Sequence, residues 1–319
     1  MRTLITGGAG FIGSNLALRL LEAGHDVRVF DDLSTGRRSN LPLGDVELIE
    51  GDVRSTEQVG AAVAGAEVVF HHAAVPSITR SLRDPLTTNA VNVAGTLNVL
   101  LAARDGEVRR VVAASSSSIY GCAPEMPRRE SGPLAPVAPY PVSKLAAEHY
   151  CFAAGHAYGL ETVALRYFNV FGERQDPDSE YAAVVPRFAA GMLRGERPKV
   201  FGDGTAARDF TYVGNALDAT VSAATAERAA GLAINVATGA ARTVNDVVLS
   251  LNRLLGTELS PVNLPPRDGD VPMSLADVSL AGEVLDYAAE VGFETGLERT
   301  AAWYAERAAG AAPLARARV

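Results

Sequence analysis

A tyrosine and a lysine four residues apart are the side chains of this sequence best suited to proton chemistry. Lys144 is one of two lysines among 29 basic residues, and it follows Tyr140 by four positions. If the segment from Ala138 to Tyr158 is helical, this spacing puts the phenol and the ammonium on one helix face. A tyrosine acts as a base near neutral pH only when nearby positive charge lowers its pKa from the ordinary value of about 10. The spacing by itself also fits two unrelated surface side chains.

The glycines near the amino terminus predict a dinucleotide site. Arg2 to Thr6 predicts a short buried strand that leads into Gly7, Gly10 and Gly13, and a helix is expected from about Phe11 to Ala23. Glycine lets backbone N–H groups approach a pyrophosphate closely, and the start of a helix favours its negative charge. The expected contacts are Gly7, Gly10, Phe11, Ile12 and Gly13.

Two acids at the end of the next strand predict which dinucleotide binds. The strand from Asp26 to Phe30 ends in Asp31 and Asp32, where such sites place an acid on the adenosine ribose. A carboxylate accepts hydrogen bonds from ribose hydroxyls and repels a 2′-phosphate, so Asp31 predicts NAD rather than NADP. The alternative is that Asp31 only shapes a turn.

Strand-like and helix-like segments alternate through the first half of the chain. Strands are expected at 46–49, 66–70, 108–113 and 161–165, and helices at 55–64, 86–104 and 138–158. This alternation predicts an α/β fold with a doubly wound parallel sheet. After residue 168 loops rich in Gly, Pro and Asp predict a smaller substrate-binding part, 169–319, from which a piece of 209–237 could return to the sheet. The tail after Gly310 has no clear period and predicts disorder.

Composition excludes several classes of protein. The 319 residues, 48% of them hydrophobic, are enough for one large or two medium domains. No apolar run is expected to reach membrane-spanning length and no signal peptide is recognised, which together predict a cytoplasmic protein with no membrane partner. Two cysteines, Cys122 and Cys151, do not make a disulfide framework or a metal site. A net charge of −8 gives no general attraction to nucleic acid.

Serines follow the strand expected at 108–114, and one of them can complete a Ser/Tyr/Lys set. With the glycine triplet, Ser116, Tyr140 and Lys144 in this order, the chain resembles the extended short-chain dehydrogenase/reductase superfamily over nearly its whole length. The resemblance implies a Rossmann-type NAD-binding domain at 1–168. It selects Ser116 because the catalytic hydroxyl lies four residues before the Tyr of the Tyr120-Gly121 pair. It also assigns Asp52, Val53, Tyr140, Lys144 and Tyr167 to the cofactor.

The residues that follow Ser116 narrow the choice among the enzymes of this superfamily. Sugar-nucleotide 4,6-dehydratases carry Asp-Glu where this chain has Ser117 and Ser118, and glucuronate decarboxylases carry Glu at the second position. Water elimination needs that additional acid and base, so a dehydratase is set aside. The remaining resemblance, supported by the segments 166–172, 174–177 and 181–186, is to NAD-dependent UDP-sugar 4-epimerases.

This resemblance implies a set of substrate contacts. Asn169 would bind the diphosphate region, Val184 and Val185 would offer backbone to the uracil, Phe201 would stack near it, and Asp270 would bind the uridine ribose. Arg208 and Arg267 resemble a diphosphate clamp, and forked guanidinium donors match its oxygens. The full set is Ser77, Ser116, Ser117, Ser118, Tyr140, Asn169, Gln175, Val184, Val185, Phe201, Arg208, Arg267, Asp270 and Ser274. Arg109 and Arg128 are expected to be ordinary surface charges.

The implied reaction moves a hydride from C4 of the sugar to NAD and back to the other face, with Tyr140 as base. Ser274 stands where some epimerases have a bulky tyrosine, so larger sugar substituents should fit. UDP-glucose, UDP-N-acetylglucosamine and UDP-glucuronate stay open, although Asp176 replaces an arginine frequent in glucuronate 4-epimerases. Alternatives are a sugar-nucleotide dehydrogenase or reductase with net redox change, and a non-catalytic NAD-binding regulator.

Three polar residues and the state of assembly complete the expectations. His71 and His72 are expected to pack or bond the backbone beside the cofactor rather than carry protons, since no acidic partner is visible. Asn92 is expected to support the active-site strand from inside. By analogy with the superfamily, the protein should form a homodimer through the helix that carries Tyr140 and its neighbour.

Overall fold

In the computed structural model, residues 1–179, 182–266 and 271–309 are described. The strands are β1 (Arg2–Thr6), β2 (Asp26–Asp31), β3 (Glu47–Glu50), β4 (Val68–His71), β5 (Arg110–Ser116), β6 (Glu161–Tyr167), β7 (Val170–Phe171), β8 (Lys199–Phe201), β9 (Ala207–Asp209), β10 (Thr211–Tyr212), β11 (Ala233–Val236), β12 (Ala241–Thr243), β13 (Val262–Leu264) and β14 (Met273–Ser274). The helices are α1 (Phe11–Glu22), α2 (Thr56–Val63), α3 (Ile78–Arg83), α4 (Pro85–Asn89), α5 (Gly95–Asp105), α6 (Pro139–Tyr158), α7 (Val184–Leu193), α8 (Val213–Ala223), α9 (Val244–Leu255), α10 (Ser279–Leu285) and α11 (Phe293–Ala308). Short 3₁₀ turns occur at Arg38–Asn40, Ser117–Tyr120 and Glu227–Ala229, and a π-helical turn at Ala90–Ala94 joins α4 to α5.

The main sheet confirms the predicted doubly wound α/β fold. Its seven strands run in the order β11-β6-β5-β4-β1-β2-β3, and every neighbouring pair is parallel. The strands are apolar runs because helices cover both faces of the sheet. The order reverses between β1 and β4, and the crevice beyond the carboxyl ends of strands at such a switch point is where ligands bind in these folds.

The predicted boundaries hold closely in the first half of the chain. β1 spans the predicted residues, and α1 ends at Glu22, one residue before the predicted end. β5 and β6 continue further than predicted, to Ser116 and Tyr167. The strands were predicted to end where the apolar run in the sequence ends. The hydrogen-bonded ladder between β5 and β6 continues beyond that point, to the pair Ser116 and Tyr167. Pairing with a neighbouring strand therefore carries both polar residues to the ligand edge.

The second half contributes one strand to the large sheet and several small sheets. β11 pairs with β6 at the sheet edge, so part of the segment 209–237 lies in the main sheet. β9 pairs with β12 and β14, β8 with β13, and β7 with β10. The division of domains at residues 168 and 169 stays a prediction, and the tail after Gly310 lies outside the described residues.

One helical segment corrects the expectation about apolar runs. Within the part of the chain that the structure describes, the continuous helix Pro85–Asp105 is long and apolar enough to cross a membrane by length and composition. The expectation that no segment reaches that length was therefore wrong. Its inner face packs on α2 and α6, and Val99, Leu100 and Ala103 are buried there. Its apolar composition is thus explained by its position in a helical layer of the fold.

Candidate active site

A large cavity lies beyond the carboxyl ends of β1, β4 and β5. Its volume is about 1480 Å³, which exceeds the ~300–1,000 Å³ usual for one small ligand. Gly10, Asp31, Ser116, Tyr140 and Arg208 all line it. The two halves of the chain therefore share one cavity with room for two ligands side by side.

The glycine-rich turn has the geometry of a phosphate cradle. Gly7 has a φ of 70°, and a Cβ added there would stand 2.6 Å from the Ala73 nitrogen. A Cβ on Gly13 would stand 2.3 Å from the Gly7 oxygen. α1 begins at Phe11 without a side-chain cap, so its first-turn N–H groups remain available to an anion. Gly7, Gly10, Phe11, Ile12 and Gly13 all line the cavity, and the cradle fits a dinucleotide diphosphate.

The predicted acids of the cofactor site differ in their placement. Asp31 is buried at the end of β2, and its carboxylate accepts from the backbone N–H groups of Ala9 (2.9 Å) and Leu33 (2.8 Å). Burial raises the pKa of Asp31 above its ordinary value, against the effect of these two bonds. Asp32 is exposed and caps the following turn through Ser34. Asp31 and Asp32 both line the cavity.

Asp52, which was predicted to contact adenine, is bonded to Arg54. Its carboxylate accepts from the Arg54 guanidinium, at 2.8 Å for Nε to Oδ2, and this bond lowers the Asp52 pKa. Val53 and Arg54 line the cavity, whereas Asp52 is not part of its described wall. The geometry thus favours Val53 and Arg54 at the adenine end, and an adenine contact from Asp52 stays a prediction.

The structure brings Ser116, Tyr140 and Lys144 together. Ser116 ends β5, and its hydroxyl lies 2.9 Å from the Ser118 hydroxyl and close enough to the Tyr140 phenol to lower its pKa. Tyr140 and Lys144 lie one turn apart in α6, as the spacing predicted. The Lys144 ammonium donates to the Ala114 carbonyl oxygen of β5 at 2.7 Å. The three side chains therefore converge where β5 meets α6, in the wall of the cavity.

Burial governs the charges of this cluster. It raises the pKa of Tyr140 above its ordinary value, and the hydrogen bond from Ser116 opposes that rise. It lowers the pKa of Lys144 to about 8. Without ligands, Tyr140 is therefore a neutral phenol at neutral pH, and Lys144 is an ammonium whose charge is poorly solvated.

Buried polar contacts fix the helix that carries the cluster. Asn92, in the π-helical turn, accepts from the Val75 N–H at 2.7 Å and donates to the Ser143 hydroxyl at 2.9 Å. Ser143 in turn donates to the Tyr140 carbonyl oxygen at 2.7 Å. Asn92 thus supports α6, next to the tyrosine, from inside the protein. It was expected to support the active-site strand, and the side-chain bonds that the structure describes reach the helix instead.

A second buried set links α6 to the two central strands. Arg166 of β6 forms an ion pair with Glu148 of α6, with 2.6 Å between Nη2 and Oε1, and both side chains are almost fully buried. The Ser115 hydroxyl of β5 donates to the same carboxylate at 2.7 Å. Arg166 also donates to the Tyr120 hydroxyl at 2.8 Å. This set holds the end of β5 against α6, and sequence reasoning missed it.

The predicted substrate residues divide into three groups. Ser77, Ser117, Ser118, Asn169, Gln175, Arg208 and Ser274 line the cavity with Ser116 and Tyr140. Val184, Val185 and Phe201 do not line its described wall. Val184 and Val185 begin α7, however, and their first-turn N–H groups lack helical partners, as a backbone role requires. Arg267 and Asp270 lie outside the described residues.

Two features of this wall fit a polar ligand. Ser274 pairs with Arg208 in the β9–β14 ladder, so these two predicted contacts stand side by side. Gln175 donates to the Val170 carbonyl oxygen at 3.3 Å, while its own buried Oε1 has no hydrogen-bond partner among the described residues. A buried acceptor without a partner is unfavourable unless a ligand donates to it.

The whole chain was compared with known proteins. Residues 3–237 match the model of the NAD dependent epimerase/dehydratase family. The UDP-glucose 4-epimerase of Mycolicibacterium smegmatis is 38% identical over 310 residues, which cover 95% of this chain and 98% of the relative. The chain belongs to this family.

Solved structures in the epimerase/dehydratase family agree with the fold. The UDP-glucose 4-epimerase of Thermotoga maritima, crystallised with UDP-glucose, is 35% identical with a TM-score of 0.93 and coverage of 97% of this chain and 100% of that one. The UDP-glucose 4-epimerase of Thermus thermophilus in complex with NAD is 37% identical with a TM-score of 0.88, and the coverage is 95% and 99%. The resemblance and the NAD cofactor predicted from the sequence are thus confirmed.

Arg128 corrects a prediction within this family fold. It was expected on the surface, yet it is 5% exposed. Its guanidinium donates to the carbonyl oxygens of Ala123 and Gly121, the latter at 3.2 Å, and lies over the Tyr120 ring. Burial lowers its pKa. Arg109, by contrast, is exposed as expected.

The two histidines bond to hydroxyl groups and form no ion pair within the described residues, and their structural role stays a prediction. His71 bonds Thr6 (2.7 Å) and Thr96 (2.9 Å), and burial lowers its pKa to about 3. His72 Nε2 lies 3.2 Å from the hydroxyl of Tyr167. His72 and Tyr167 both line the cavity. Burial lowers the pKa of His72 to about 4, so both rings are neutral near neutral pH.

Proposed function

We propose that this protein is an NAD-dependent UDP-sugar 4-epimerase, an isomerase that inverts C4 of a UDP-hexose through a transient 4-keto sugar. The observation that carries the proposal is the convergence of Ser116, Tyr140 and Lys144 between a phosphate cradle and a second ligand-sized region of one cavity. NAD, when bound, supplies the acceptor that takes a hydride from C4 and returns it.

The three side chains have distinct roles in the proposed reaction. Tyr140, as phenolate, removes the proton of the 4-hydroxyl, and Ser116 donates a hydrogen bond to the same oxygen. After the keto sugar rotates in the cavity, hydride returns to the other face of C4 and Tyr140 returns the proton to the C4 oxygen. Each turnover therefore leaves the cofactor in its starting state and produces no net redox change.

Electrostatics in the cavity must change for Tyr140 to act as a base. Burial keeps the free phenol protonated, because a desolvated phenolate is unfavourable. Lys144 lies one helical turn away and carries a desolvated positive charge. We infer that the Lys144 ammonium and the positive charge of the oxidised cofactor together lower the pKa of Tyr140 when the site is loaded.

The remaining predicted contacts complete the proposal. The cofactor would bind Gly7, Gly10, Phe11, Ile12, Gly13, Asp31, Asp32, Asp52, Val53, Tyr140, Lys144 and Tyr167. Ser77, Ser117, Ser118, Asn169, Gln175, Val184, Val185, Phe201, Arg208, Arg267, Asp270 and Ser274 would hold the UDP-sugar. Keeping the UDP anchored lets the keto sugar rotate without leaving the enzyme.

The sugar is the least constrained part of the proposal. Ser274 is small and lines the cavity beside Met273, which leaves space for an N-acetyl group. Asp176 is held by Arg37 at 2.7 Å and offers no positive charge to a uronate carboxylate. These two features favour UDP-glucose or UDP-N-acetylglucosamine over UDP-glucuronate.

We also propose that the enzyme is a cytoplasmic homodimer. Large apolar side chains are exposed on α3, on α4 and on α6, the catalytic helix that carries Tyr140. They are Ile78, Leu82, Leu86 and Val142. A second copy of the chain would cover this surface. The two free thiols, Cys122 and Cys151, agree with a reducing compartment.

Proton NMR of the purified protein with each of the three UDP-sugars, without added NAD, tests the function. We expect one sugar to give its C4 epimer, fastest for UDP-glucose or UDP-N-acetylglucosamine. Accumulation of NADH with substrate would instead indicate a net dehydrogenase. Absence of any epimer, even with NAD supplied, would contradict the proposal for these substrates.

A further inference from the structure

A short segment of the substrate half crosses onto the cofactor-binding half beside the phosphate cradle. We call residues 173–176 the crossing segment. The Asn15 side chain in α1 donates to the Glu173 carbonyl oxygen at 2.9 Å, and the Arg174 guanidinium donates to Asn15 Oδ1 at 2.7 Å. Asp176 forms an ion pair with Arg37 at 2.7 Å. The segment is thus tied at both ends to the cofactor-binding half.

Arg174 is an arginine in an unusual environment. Its backbone has a φ of 66°, a left-handed conformation that long side chains rarely adopt. Burial lowers the pKa of its guanidinium, and no carboxylate of the described residues forms an ion pair with it. The charges of Glu173 and Glu22 oppose this shift in part. A partly buried cation that forms no ion pair within the described residues is nevertheless unfavourable, so the fold holds this charge at a cost to its stability.

The position of Arg174 indicates which anion would pair with it. Asn15 donates to Glu173 and also to the carbonyl oxygen of Phe11, the first residue of α1, at 2.9 Å. The guanidinium bonded to Asn15 therefore lies about one turn from the start of that helix. Arg174 lines the same cavity as Gly10, Phe11 and Gly13. The diphosphate of a dinucleotide at the cradle would be the nearest strong anion.

The Arg37–Asp176 ion pair lies on the other side of the crossing segment. The Arg37 N–H also donates to the Ala9 carbonyl oxygen of the glycine-rich turn at 3.0 Å. Both members of the pair line the cavity. Breaking this pair would free the far end of the segment without touching the cradle itself.

We propose that Arg174 is a cofactor-binding residue that neutralises the diphosphate of NAD, and that the Arg37–Asp176 ion pair holds the crossing segment closed over it. The forked guanidinium matches two phosphate oxygens. NAD then leaves only when the crossing segment moves away. An enzyme that regenerates its cofactor in every turnover benefits from such retention, but the inference concerns NAD binding alone and needs no sugar substrate.

Release of bound NAD tests this inference directly. The holoprotein is loaded with isotope-labelled NAD, diluted into excess unlabelled NAD, and sampled over time for label still bound. We expect Arg174→Gln to release NAD about tenfold faster or more, since a charge-assisted bond is lost. Asp176→Asn, which breaks only the ion pair, should release it a few-fold faster. Arg19→Gln is the matched control, since Arg19 lies on α1 but pairs with Asp218 at 3.0 Å.

A second readout separates cofactor binding from a structural role. NAD-free Arg174→Gln should unfold at the same temperature as the parent or higher, because it loses a partly buried charge that forms no ion pair within the described residues. The rise in melting temperature on adding NAD or ADP-ribose should shrink, and Arg174→Lys should lie between the two. Unchanged NAD release in both Arg174→Gln and Asp176→Asn would overturn the inference. A failure of all sugars to epimerise would leave these binding results unaffected.

Discussion

At the scale of single residues, burial shifts the pKa values of Tyr140 and Lys144 in opposite directions in the ligand-free site. Burial raises the pKa of Tyr140 and lowers that of Lys144 to about 8. Each shift disfavours the charged form of its group. In the mechanism proposed above, the loaded site reverses the balance for Tyr140, because the Lys144 ammonium and the oxidised cofactor would both favour phenolate.

Tyr140→Phe removes the proposed base without changing the shape of the cavity. We expect epimerisation to fall by about 10²–10⁴-fold, the usual contribution of a general acid–base group. NAD content should stay unchanged, because the cradle is intact. Tyr158→Phe, at an exposed position of the same helix, is the control and should keep full activity. The role assigned to Tyr140 would be wrong if both variants behaved alike.

Lys144→Met tests the cost of the buried ammonium in NAD-free protein. The folded pKa of about 8 lies below the ordinary lysine pKa of 10.5, so the unfolded chain holds the proton more tightly. The penalty is complete below pH 8 and disappears as the pH rises from about 8 to about 10.5. At pH 7 the variant should gain up to about 3 kcal/mol relative to the parent, less the lost bond to Ala114.

Urea unfolding of both proteins at pH 7 and pH 10 measures this difference. The gain in free energy of unfolding caused by Lys144→Met should be smaller at pH 10 than at pH 7. Lys199→Met, at an exposed residue of β8, should show no such change. A gain that is equal at the two pH values would contradict a desolvated ammonium at Lys144.

Residue identities were predictable where local spacing decides them. The four-residue step from Tyr140 to Lys144 needed no distant contact, whereas Ser116 was selected by the resemblance to the superfamily. Arg128 was placed on the surface because nothing near it in sequence announces burial. Its contacts with the Tyr120 ring and with backbone carbonyl oxygens exist only after the chain folds. Arg174 lies in the segment 174–177 that supported the resemblance, but its lack of an ion pair within the described residues was not foreseeable.

At the scale of elements, α6 and the ends of β5 and β6 form the frame of the site. The ion pair between Glu148 and Arg166, with the bond from Ser115, joins all three elements. A buried pair of this kind adds little net stability over apolar side chains, but losing one partner leaves an uncompensated charge. The frame is therefore sensitive to substitution far from the reacting atoms.

Glu148→Gln should lower the free energy of unfolding by about 3 kcal/mol or more, because Arg166 is left buried without its counterion. The double variant Glu148→Gln/Arg166→Met should lose less than the two single variants added together. Glu196→Gln, which breaks the exposed pair with Arg194, is the control and should not change stability measurably. Equal effects at Glu148 and Glu196 would refute the buried-frame account.

Elements with strong local signals were predicted to within a few residues. β1 and α1 follow from an apolar run, a glycine turn and a 3.6-residue period. The π-helical turn at Ala90–Ala94 interrupts a helix that its sequence predicts as continuous. The two- and three-residue strands of the second half were not predictable, because each is defined by partners distant in sequence.

At the scale of the whole molecule, two halves of the chain share one cavity, and a surface beside the catalytic helix is apolar. Leu86, on α4, is 82% exposed and is the most exposed of the large apolar side chains that the structure describes. The neighbouring Leu82 and Val142 extend this surface to α3 and α6. Such a patch favours association of two copies.

Leu86→Glu should turn the proposed dimer into a monomer, because burying a carboxylate in an apolar interface is unfavourable. Light scattering coupled to size-exclusion chromatography measures the mass at several protein concentrations. Leu249→Glu changes a comparably exposed leucine on α9, 70% exposed, and should leave the mass unchanged. A parent protein that is already monomeric would contradict the proposed homodimer.

The most direct test of the central claim follows the hydrogen on C4. Substrate deuterated at C4 is incubated with the holoprotein, and the label is located by NMR in the C4 epimer. Hydride removal and return at one carbon predicts that deuterium is retained at C4, without NADH accumulation and without label in water. An epimer that has lost its deuterium to solvent, or one that forms equally well with Tyr140→Phe, would contradict the account.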